Sequence, residues 1–533
     1  FGLINSDSQS VILSRRNFEG SPREQFFDLT NERFVFDLNG NLRDNWKYNF
    51  FIQRSITDLN YIYFNDISKS KTANALNISG TVSNPVCISN DPDCVPWNIF
   101  INNGNQVVSN PSLGVTQELL DYINLDLSIY GSSNESQYFI SFMNSIPYES
   151  ELLLNPSFAF GYEKRKTELV KLPDENFQGD DGAGQQVEQR VLIGEINVDE
   201  FFVEFLLPFK NSLDISSSYR FSDYSLSQKA ETFDLGFTYF LNDNLILKAS
   251  IQKAIRAPAI HELFEQTHSK FVALSSDPCS GNIPSRSLND CVNTGVTANL
   301  YGDIEAPASS IATTLGGNLN LSPEKAITSS IGLIFNNQKD YLEVDFYHID
   351  LEDQIGSSNA DTILSQCLDT GLSKWCSLID RDPVTGTFHE GTGKINTPLL
   401  NFVSNVTSGL DIFYERIFES KIGTIKVNNF SNFLLKRDIQ QASSNIPLEC
   451  LGKYENTCGL PSPKIQNILT LDLITSVNKT PIDISVRVRY LGSVDDINID
   501  DPSTTYSENI PFKSFTSFFE TLSLPSISKS LIK

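Results

Sequence analysis

NLILKASIQKAIRAPAIHELF, at Asn244–Phe264, is the stretch of sequence that decides the fold class of this chain. Apolar and polar residues alternate strictly through its first half, which predicts a β-strand with one apolar face and one wet face. Pro258 has no N–H to donate to a sheet, so the strand is expected to end beside Arg256. A long polar segment follows, up to GGNLNLSPEK at Gly316–Lys325, where the next strand is expected to begin.

The same alternation recurs along the chain, and the connections between the predicted strands are alternately short and long. One face of each strand carries almost no charge, whereas the other is polar throughout. This layout is typical of an all-β, antiparallel up-and-down transmembrane β-barrel with tight turns at one end and long external loops at the other. The predicted short turns are Asn39–Asn45, Lys210–Ser212, Asn242–Asn244, Asn336–Asp340, Glu419–Gly423 and Val477–Thr480.

Composition and charge are compatible with a barrel and exclude other classes. No run of about 18 apolar residues occurs, so no transmembrane helix is encoded. A mean hydropathy of −0.19 does not exclude a membrane protein, because only alternate residues of a barrel strand face lipid. The formal net charge is −25, and nucleic acid is not expected as a partner, because phosphate binding needs clustered Lys and Arg.

The eight cysteines form four pairs that are close in sequence and far from one another. None has the C-x-x-C spacing that is common in metal sites. We therefore expect a local disulfide within each of four long loops, with metal ligation or free thiols as the alternatives. Disulfides require an oxidising compartment, such as the periplasm or the cell surface. The predicted bridges are Cys87–Cys94, Cys279–Cys291, Cys367–Cys376 and Cys450–Cys458.

Two phrases that flank one long loop resemble motifs of the barrel of TonB-dependent outer-membrane receptors. In that family a strand ends in a RAP…ELF phrase, and the next strand begins after a GN-x-x-L-x-PEK phrase. The residues that carry this resemblance are Arg256, Pro258, Glu262, Leu263 and Phe264 in the first phrase and Asn318, Leu321, Pro323 and Glu324 in the second.

The resemblance implies a bacterial outer-membrane receptor that imports a scarce ligand, of the siderophore, cobalamin or oligosaccharide class. It implies contacts with membrane lipid and lipopolysaccharide, and energy supplied by a TonB complex through a plug domain. No catalytic residue, cofactor or metal site is expected. A passive porin would show the same strand pattern without a plug. A barrel enzyme would need a nucleophile and a base on the strands, and no such arrangement is visible.

The domain prediction is a partial barrel over residues 1–533, with about 15 of the roughly 22 strands of a plugged transporter. The first residues, FGLINSDSQS, contain no start Met and no signal-peptide pattern. No segment resembles a plug or a TonB-contacting box. The final residues, SLPSISKSLIK, do not resemble the aromatic-terminated closing strand of the family. We therefore expect the plug and the closing strands to be absent from this sequence.

Two pairs of residues have both a functional and a structural interpretation. Arg256 and Glu324 stand at the two stems of one loop, where they either pin the stems together or remain independent solvated charges. Trp97 and Trp375 each lie beside a predicted disulfide in a long loop. Their rings either stack on a ligand or pack beneath the loop in a small satellite core.

Overall fold

The computed structural model describes residues 20–42, 45–81, 84–97, 115–184, 189–226, 229–272, 274–305, 311–388, 392–440, 447–454, 458, 461–477, 480–496 and 515–523. Strands dominate these ranges, and the helices are short and lie in the long connections. The helices are α1 (Lys69–Leu76), α2 (Gln117–Ile123), α3 (Glu175–Gln178), α4 (Ile260–Phe264), α5 (Leu288–Val292), α6 (Ala360–Thr370) and α7 (Ser373–Cys376).

The strands range from two residues to more than twenty. They are β1 (Glu24–Asn41), β2 (Trp46–Ile67), β3 (Ile78–Thr81), β4 (Asn84–Cys87), β5 (Asn124–Ser145), β6 (Ser157–Pro173), β7 (Leu192–Phe209), β8 (Leu213–Tyr224), β9 (Lys229–Asn242), β10 (Leu245–Arg256), β11 (His268–Val272), β12 (Ile311–Leu315), β13 (Glu324–Asn336), β14 (Asp340–Ser357), β15 (Ile379–Asp380), β16 (Lys394–Asn396), β17 (Leu399–Ser420), β18 (Gly423–Gln440), β19 (Leu448–Glu449), β20 (Lys453–Tyr454), β21 (Ile465–Val477), β22 (Thr480–Leu491), β23 (Asp495–Asp496) and β24 (Phe515–Ser523).

Within the described ranges, the main sheet contains fifteen strands in one path, and β19 pairs beside that path with β18. The order is β1-β2-β5-β6-β7-β8-β9-β10-β13-β14-β17-β18-β21-β22-β24, so each long strand lies beside the next one along the chain. From β7 to β24 the pairings are antiparallel. The predicted antiparallel up-and-down architecture, with about fifteen strands, is confirmed.

Four of the six predicted short turns lie wholly within the described residues and are confirmed, because each lies between two consecutive strands of the main sheet. The other two predictions, Asn39–Asn45 and Val477–Thr480, include residues outside the described ranges. A seventh connection on the same side, 146–156, does not follow from the sequence pattern. It is longer than the other turns and is held by its own bridge, Glu149↔Leu154, and by a hydrogen bond from Asn155 N to Tyr148 O (2.9 Å). The long connections all lie at the opposite strand ends.

Alternation gives the main sheet one apolar and one polar face. The apolar side chains of β9 and β10 share a face and are exposed, among them Phe233, Phe237, Leu247 and Ile251. An exposed apolar face of this extent fits contact with lipid. On the polar face, Lys248 forms ion pairs with Glu343 and, at 3.0 Å, with Asp345. No helix in the described ranges combines the length and apolar content needed to cross a membrane.

The chain divides into two units, the first comprising 1–34, 54–135 and 167–195, and the second 35–53, 136–166 and 196–533. In the first unit, α1 and α2 enclose a small core that includes Trp97, Leu119 and Ile123. Its fully buried Asp66 accepts a hydrogen bond from Gly184 N (2.8 Å) and pairs with Arg23 (3.1 Å). The second unit contains β8–β24 and the long connections 257–323 and 358–398.

Candidate functional site

Two long connections of the second unit fold into one body. We call residues 257–323 loop A and residues 358–398 loop B, and their described residues together form the composite cap. The cap contains the four-stranded sheet β11-β12-β16-β15. Strand β12 belongs to loop A and β16 to loop B, and the two pair in parallel through Thr313↔Ile395 and Thr314↔Asn396. The cap sheet is therefore completed only by residues of both loops.

The composite cap has its own hydrophobic core. Helix α6 contributes one apolar face to this core. Local signals in the sequence fix where the helix begins and ends. Asn359 Oδ1 accepts a hydrogen bond from Thr362 N (2.7 Å) at the start, and Gly371 ends the helix with a positive φ of 62°. The buried core residues are Leu274, Cys279, Cys291, Val296, Ile304, Ile311, Ala360, Ile363, Leu364, Cys367, Leu368, Trp375, Ile379, Phe388 and Ile395.

A buried ion pair joins the two loops inside the composite cap. Arg381 of loop B donates from Nη1 to Asp277 Oδ2 (2.6 Å) and from Nη2 to Asp277 Oδ1 (2.9 Å) in loop A. The two side chains are only 1% and 2% exposed. Arg381 Nε also donates to Thr294 Oγ1 (3.0 Å), and its guanidinium lies 4.1 Å from the ring centroid of Phe388. The charges are thus removed from water but hydrogen-bonded, as buried charges must be.

All four predicted disulfides are present, so the prediction of local bridges is confirmed. Their Cα–Cα distances are 6.2 Å for Cys87–Cys94, 5.8 Å for Cys279–Cys291, 4.8 Å for Cys367–Cys376 and 5.6 Å for Cys450–Cys458. The second and third belong to the core of the composite cap, one in each loop. Each loop therefore contains one internal covalent link, whereas the contacts described between the loops are non-covalent.

The structure brings Arg256 and Glu324 together at the stems of loop A. They lie directly opposite each other in the β10–β13 register, and Arg256 donates from Nε and Nη2 to the Glu324 carboxylate (2.8 and 2.6 Å). Glu262 is a third partner that the sequence does not reveal. It accepts from Arg256 Nη1 (3.0 Å) and also from Ala259 N (2.7 Å) at the start of α4.

The other motif residues join the two phrases directly. Asn318 N donates to Glu262 O (2.8 Å), and Gly317 N donates to Glu265 O (2.9 Å). Gly317 cannot be replaced without movement, because a Cβ there would lie 2.7 Å from the carbonyl oxygen of Leu263. Pro258 follows the end of β10, Phe264 is half-buried at the end of α4, and Leu263, Leu321 and Pro323 are buried.

The ends of the two strands that flank loop B, β14 and β17, are bonded to the same stems of loop A. Asn401 Nδ2 donates to Ser322 O (2.8 Å) and Asp353 O (2.6 Å), and Asn318 Nδ2 donates to Leu399 O (2.8 Å). Glu324 Oε1 accepts from Ile355 N (2.9 Å), so one carboxylate serves both Arg256 and the strand that leads into loop B. The motif residues therefore form the shared base of the composite cap.

We expect Glu324→Ala to destabilise this base by about 1–2 kcal/mol, because it leaves the part-buried Ile355 N–H without its acceptor. Arg256 is 47% exposed and keeps Glu262, so the lost ion pair itself should contribute little. Protease cleavage rates within loops A and B would measure the effect. Glu324→Gln is the matched control, because its amide oxygen can still accept from Ile355 N, and equal cleavage rates for the two variants would contradict the assignment of Glu324 as the shared acceptor.

Both tryptophans singled out from the sequence lie inside loop cores. Trp375 is buried in the composite cap, with its ring at 6.2 Å and 78° to that of Phe402, and Trp97 is buried in the core of the first unit. Trp97 and Trp375 are only 8% and 2% exposed. This placement agrees with the satellite-core interpretation and not with ligand contact, because packing beneath the loops removes the rings from solvent.

Loop B also contains a turn that is centred on Asp382. Its carboxylate accepts hydrogen bonds from the backbone N–H groups of Thr385 (3.0 Å), Thr392 (3.1 Å) and Val384 (2.9 Å). These bonds favour the charged form and lower the pKa of Asp382 to about 2, with the Thr385 bond as the largest cause. No group of three or more His, Cys, Asp or Glu residues in the described part of the chain could hold a metal ion.

The Asp382 turn predicts a pH dependence of the cap. Because its pKa is lower in the folded than in the unfolded chain, Asp382 stabilises the fold fully above about pH 4, and this contribution is lost as the pH falls towards 2. We expect Trp375 fluorescence to report loosening of loop B between those values. Asp382→Asn is the control: it should weaken the turn at neutral pH and flatten this pH dependence. An unchanged profile in the variant would argue against the prediction.

Comparisons with known proteins agree with this architecture. The model of the family "TonB dependent receptor-like, beta-barrel" matches residues 3–409. The probable TonB-dependent siderophore receptor PirA of Acinetobacter baumannii is 24% identical over 183 residues, which are 33% of this chain and 20% of that protein. The aligned part of the chain thus spans about a fifth of this curated relative.

A solved structure of an outer-membrane transporter shares the fold. The transporter YddB from Escherichia coli superposes with a TM-score of 0.51 at 9% identity, covering 94% of this chain and 56% of that chain. The siderophore receptor PirA from Acinetobacter baumannii gives a TM-score of 0.44 at 13% identity, over 94% of this chain and 73% of that chain. Since the family model matches most of its length, the chain belongs to the TonB-dependent receptor β-barrel family, whose members are bacterial outer-membrane proteins.

Proposed function

We propose that this chain is the barrel of a TonB-dependent receptor that imports a ferric siderophore across the outer membrane. The observation that carries the proposal is the composite cap, which contains one internal disulfide in each of its two loops. The family-motif residues form its base, at the end of the sheet where the long connections lie. A receptor needs ordered loops at its external end to capture a scarce ligand. The siderophore class, rather than cobalamin or an oligosaccharide, is favoured by the similarity to PirA, a probable TonB-dependent siderophore receptor.

The proposed activity is transport without bond chemistry, as in a family of receptors and transporters. In this proposal a plug domain blocks the lumen, and a TonB complex acts on the plug. The exposed apolar face of the strands contacts lipid and lipopolysaccharide, and the long loops of the receptor contact the small-molecule ligand. We propose that residues 1–533 are the barrel portion of such a receptor and that the plug lies outside this sequence.

Uptake measurements in bacteria that produce the intact receptor would test the proposal. Cells with and without the gene, starved of iron, are given ⁵⁵Fe as hydroxamate and catecholate chelates, and in parallel labelled cobalamin and maltodextrins. We expect the gene to increase uptake of at least one ferric chelate, and collapse of the proton gradient to abolish that increase. Uptake that survives the collapse would instead identify a passive porin. Gene-dependent uptake of cobalamin or maltodextrin alone would reassign the ligand class.

A further inference from the structure

We propose that loops A and B of the composite cap move as one rigid body and that Arg381 is the positioning residue that couples them. A pair of receptor loops would ordinarily be treated as two independent segments, each free to open about its own stems. The contacts between these two loops must break together, and not one at a time, before the loops can separate.

The Arg381 guanidinium is the first of these contacts. It is carried by loop B, yet Asp277 and Thr294, which receive three of its hydrogen bonds, belong to loop A. A fourth bond, from Nη1 to Gly386 O (2.8 Å), fixes the side chain to its own loop. A separation of the loops too small to admit water would leave two opposite charges without partners, and such a state is strongly disfavoured.

Backbone pairing gives the second set of contacts. The parallel pairing of β12 with β16 joins the loops through main-chain hydrogen bonds, and Thr313 Oγ1 adds a bond to Ile395 O (2.6 Å). Ser275 N of loop A donates to Asp361 Oδ1 of loop B (2.9 Å). Sheet pairing has a fixed register, so sliding one loop past the other would break these bonds together rather than one at a time.

The shared hydrophobic core gives the third set of contacts. Residues of both loops form one buried cluster, and Cys367 Sγ of loop B lies 3.4 Å from Asn293 O of loop A. Close-packed interiors respond to stress as units, because any gap forfeits contacts on both sides. Motion of the cap is therefore expected at its base, where the contacts are part-exposed, and not between the loops.

Distances between spin labels would test this coupling in the intact receptor. Ile283 of loop A and Val384 of loop B are 93% and 78% exposed, so both accept a label without disturbing the core. Ile283→Cys with Val384→Cys measures the distance between the loops, and Ile283→Cys with Ala298→Cys, which is exposed and lies in the body of loop A away from the base, gives a matched distance within loop A. We expect the two distance distributions to be equally narrow. A cross-loop distribution that is broader than the within-loop one, or that has two peaks, would overturn the proposal.

The same labels test the role of Arg381. With Arg381→Met, the cross-loop distribution should lose its narrow peak while the within-loop distribution stays unchanged. Arg381→Lys should give an intermediate width, because an ammonium keeps the charge but lacks the planar fork that pairs with both carboxylate oxygens. Retention of the narrow cross-loop peak in Arg381→Met would remove Arg381 from the coupling. If that variant fails to fold, the comparison of the two label pairs in the native background still decides whether the loops form one body.

Discussion

Arg381→Met is expected to lower the free energy of unfolding of the composite cap by about 3–5 kcal/mol, because it leaves the buried Asp277 carboxylate without its partner. The guanidinium is 1% exposed, so water cannot replace the lost hydrogen bonds without opening the core. Denaturant titration of the intact protein, followed by protease cleavage within loops A and B, would measure this loss. Both loops should become susceptible at the same denaturant concentration.

The structure supplies a matched control for this prediction. Arg286 and Asp369 also join loop A to loop B, but the side chains are 40% and 44% exposed. Arg286→Met should therefore cost less than about 1 kcal/mol. The double variant Arg381→Met with Asp277→Leu should recover most of the stability, because it buries no charge. Equal losses for Arg381→Met and Arg286→Met would show that burial does not determine the contribution of this pair.

Removal of the Cys279–Cys291 bridge is the second change with a large expected effect. The bridge closes a segment with a sequence separation of 12, for which the chain-entropy model gives about 2–3 kcal/mol. Both cysteines are fully buried in the cap core, so replacing them by Ala adds the cost of lost packing. Cys279→Ala with Cys291→Ala should therefore expose loop A to protease, and, since the core is shared, loop B as well.

Cys87→Ala with Cys94→Ala is the control for this experiment. That bridge is half-buried and lies in the first unit, outside the core of the composite cap. Its removal should leave cleavage of loops A and B unchanged. A cap that resists protease equally well with and without the Cys279–Cys291 bridge would show that packing alone maintains its structure.

The strands were predictable from sequence because a barrel strand has two different environments. The alternation in β10 reflects lipid on one side and a polar interior on the other, and both constraints act on neighbouring residues. The short turns are equally local. Connection 146–156 is the exception: its length and its internal bridge between Glu149 and Leu154 do not give the compact polar signal of the other turns.

The composite cap was not predictable in the same way. Asp277 and Arg381 are separated by 104 residues, and nothing in the sequence links the two. Strand β16 is only three residues long, too short for a periodic pattern. Arg256 and Glu324 could be paired as a hypothesis because they stand at the two stems of one loop, between strands that follow each other in an up-and-down sheet. The second role of Glu262, at the start of α4, depends on a helix of only five residues.

The shared core also determines what can be exchanged between receptors. A graft of loop A alone from another protein would leave Arg381 facing a surface that was never matched to it, and a graft of loop B alone would do the same to Asp277. The smallest transferable segment is therefore the continuous stretch 257–398, which includes the hairpin of β13 and β14 between the two loops. Recombination that respects these limits would transfer an intact cap to a new barrel, whereas single-loop chimaeras would inherit two mismatched halves.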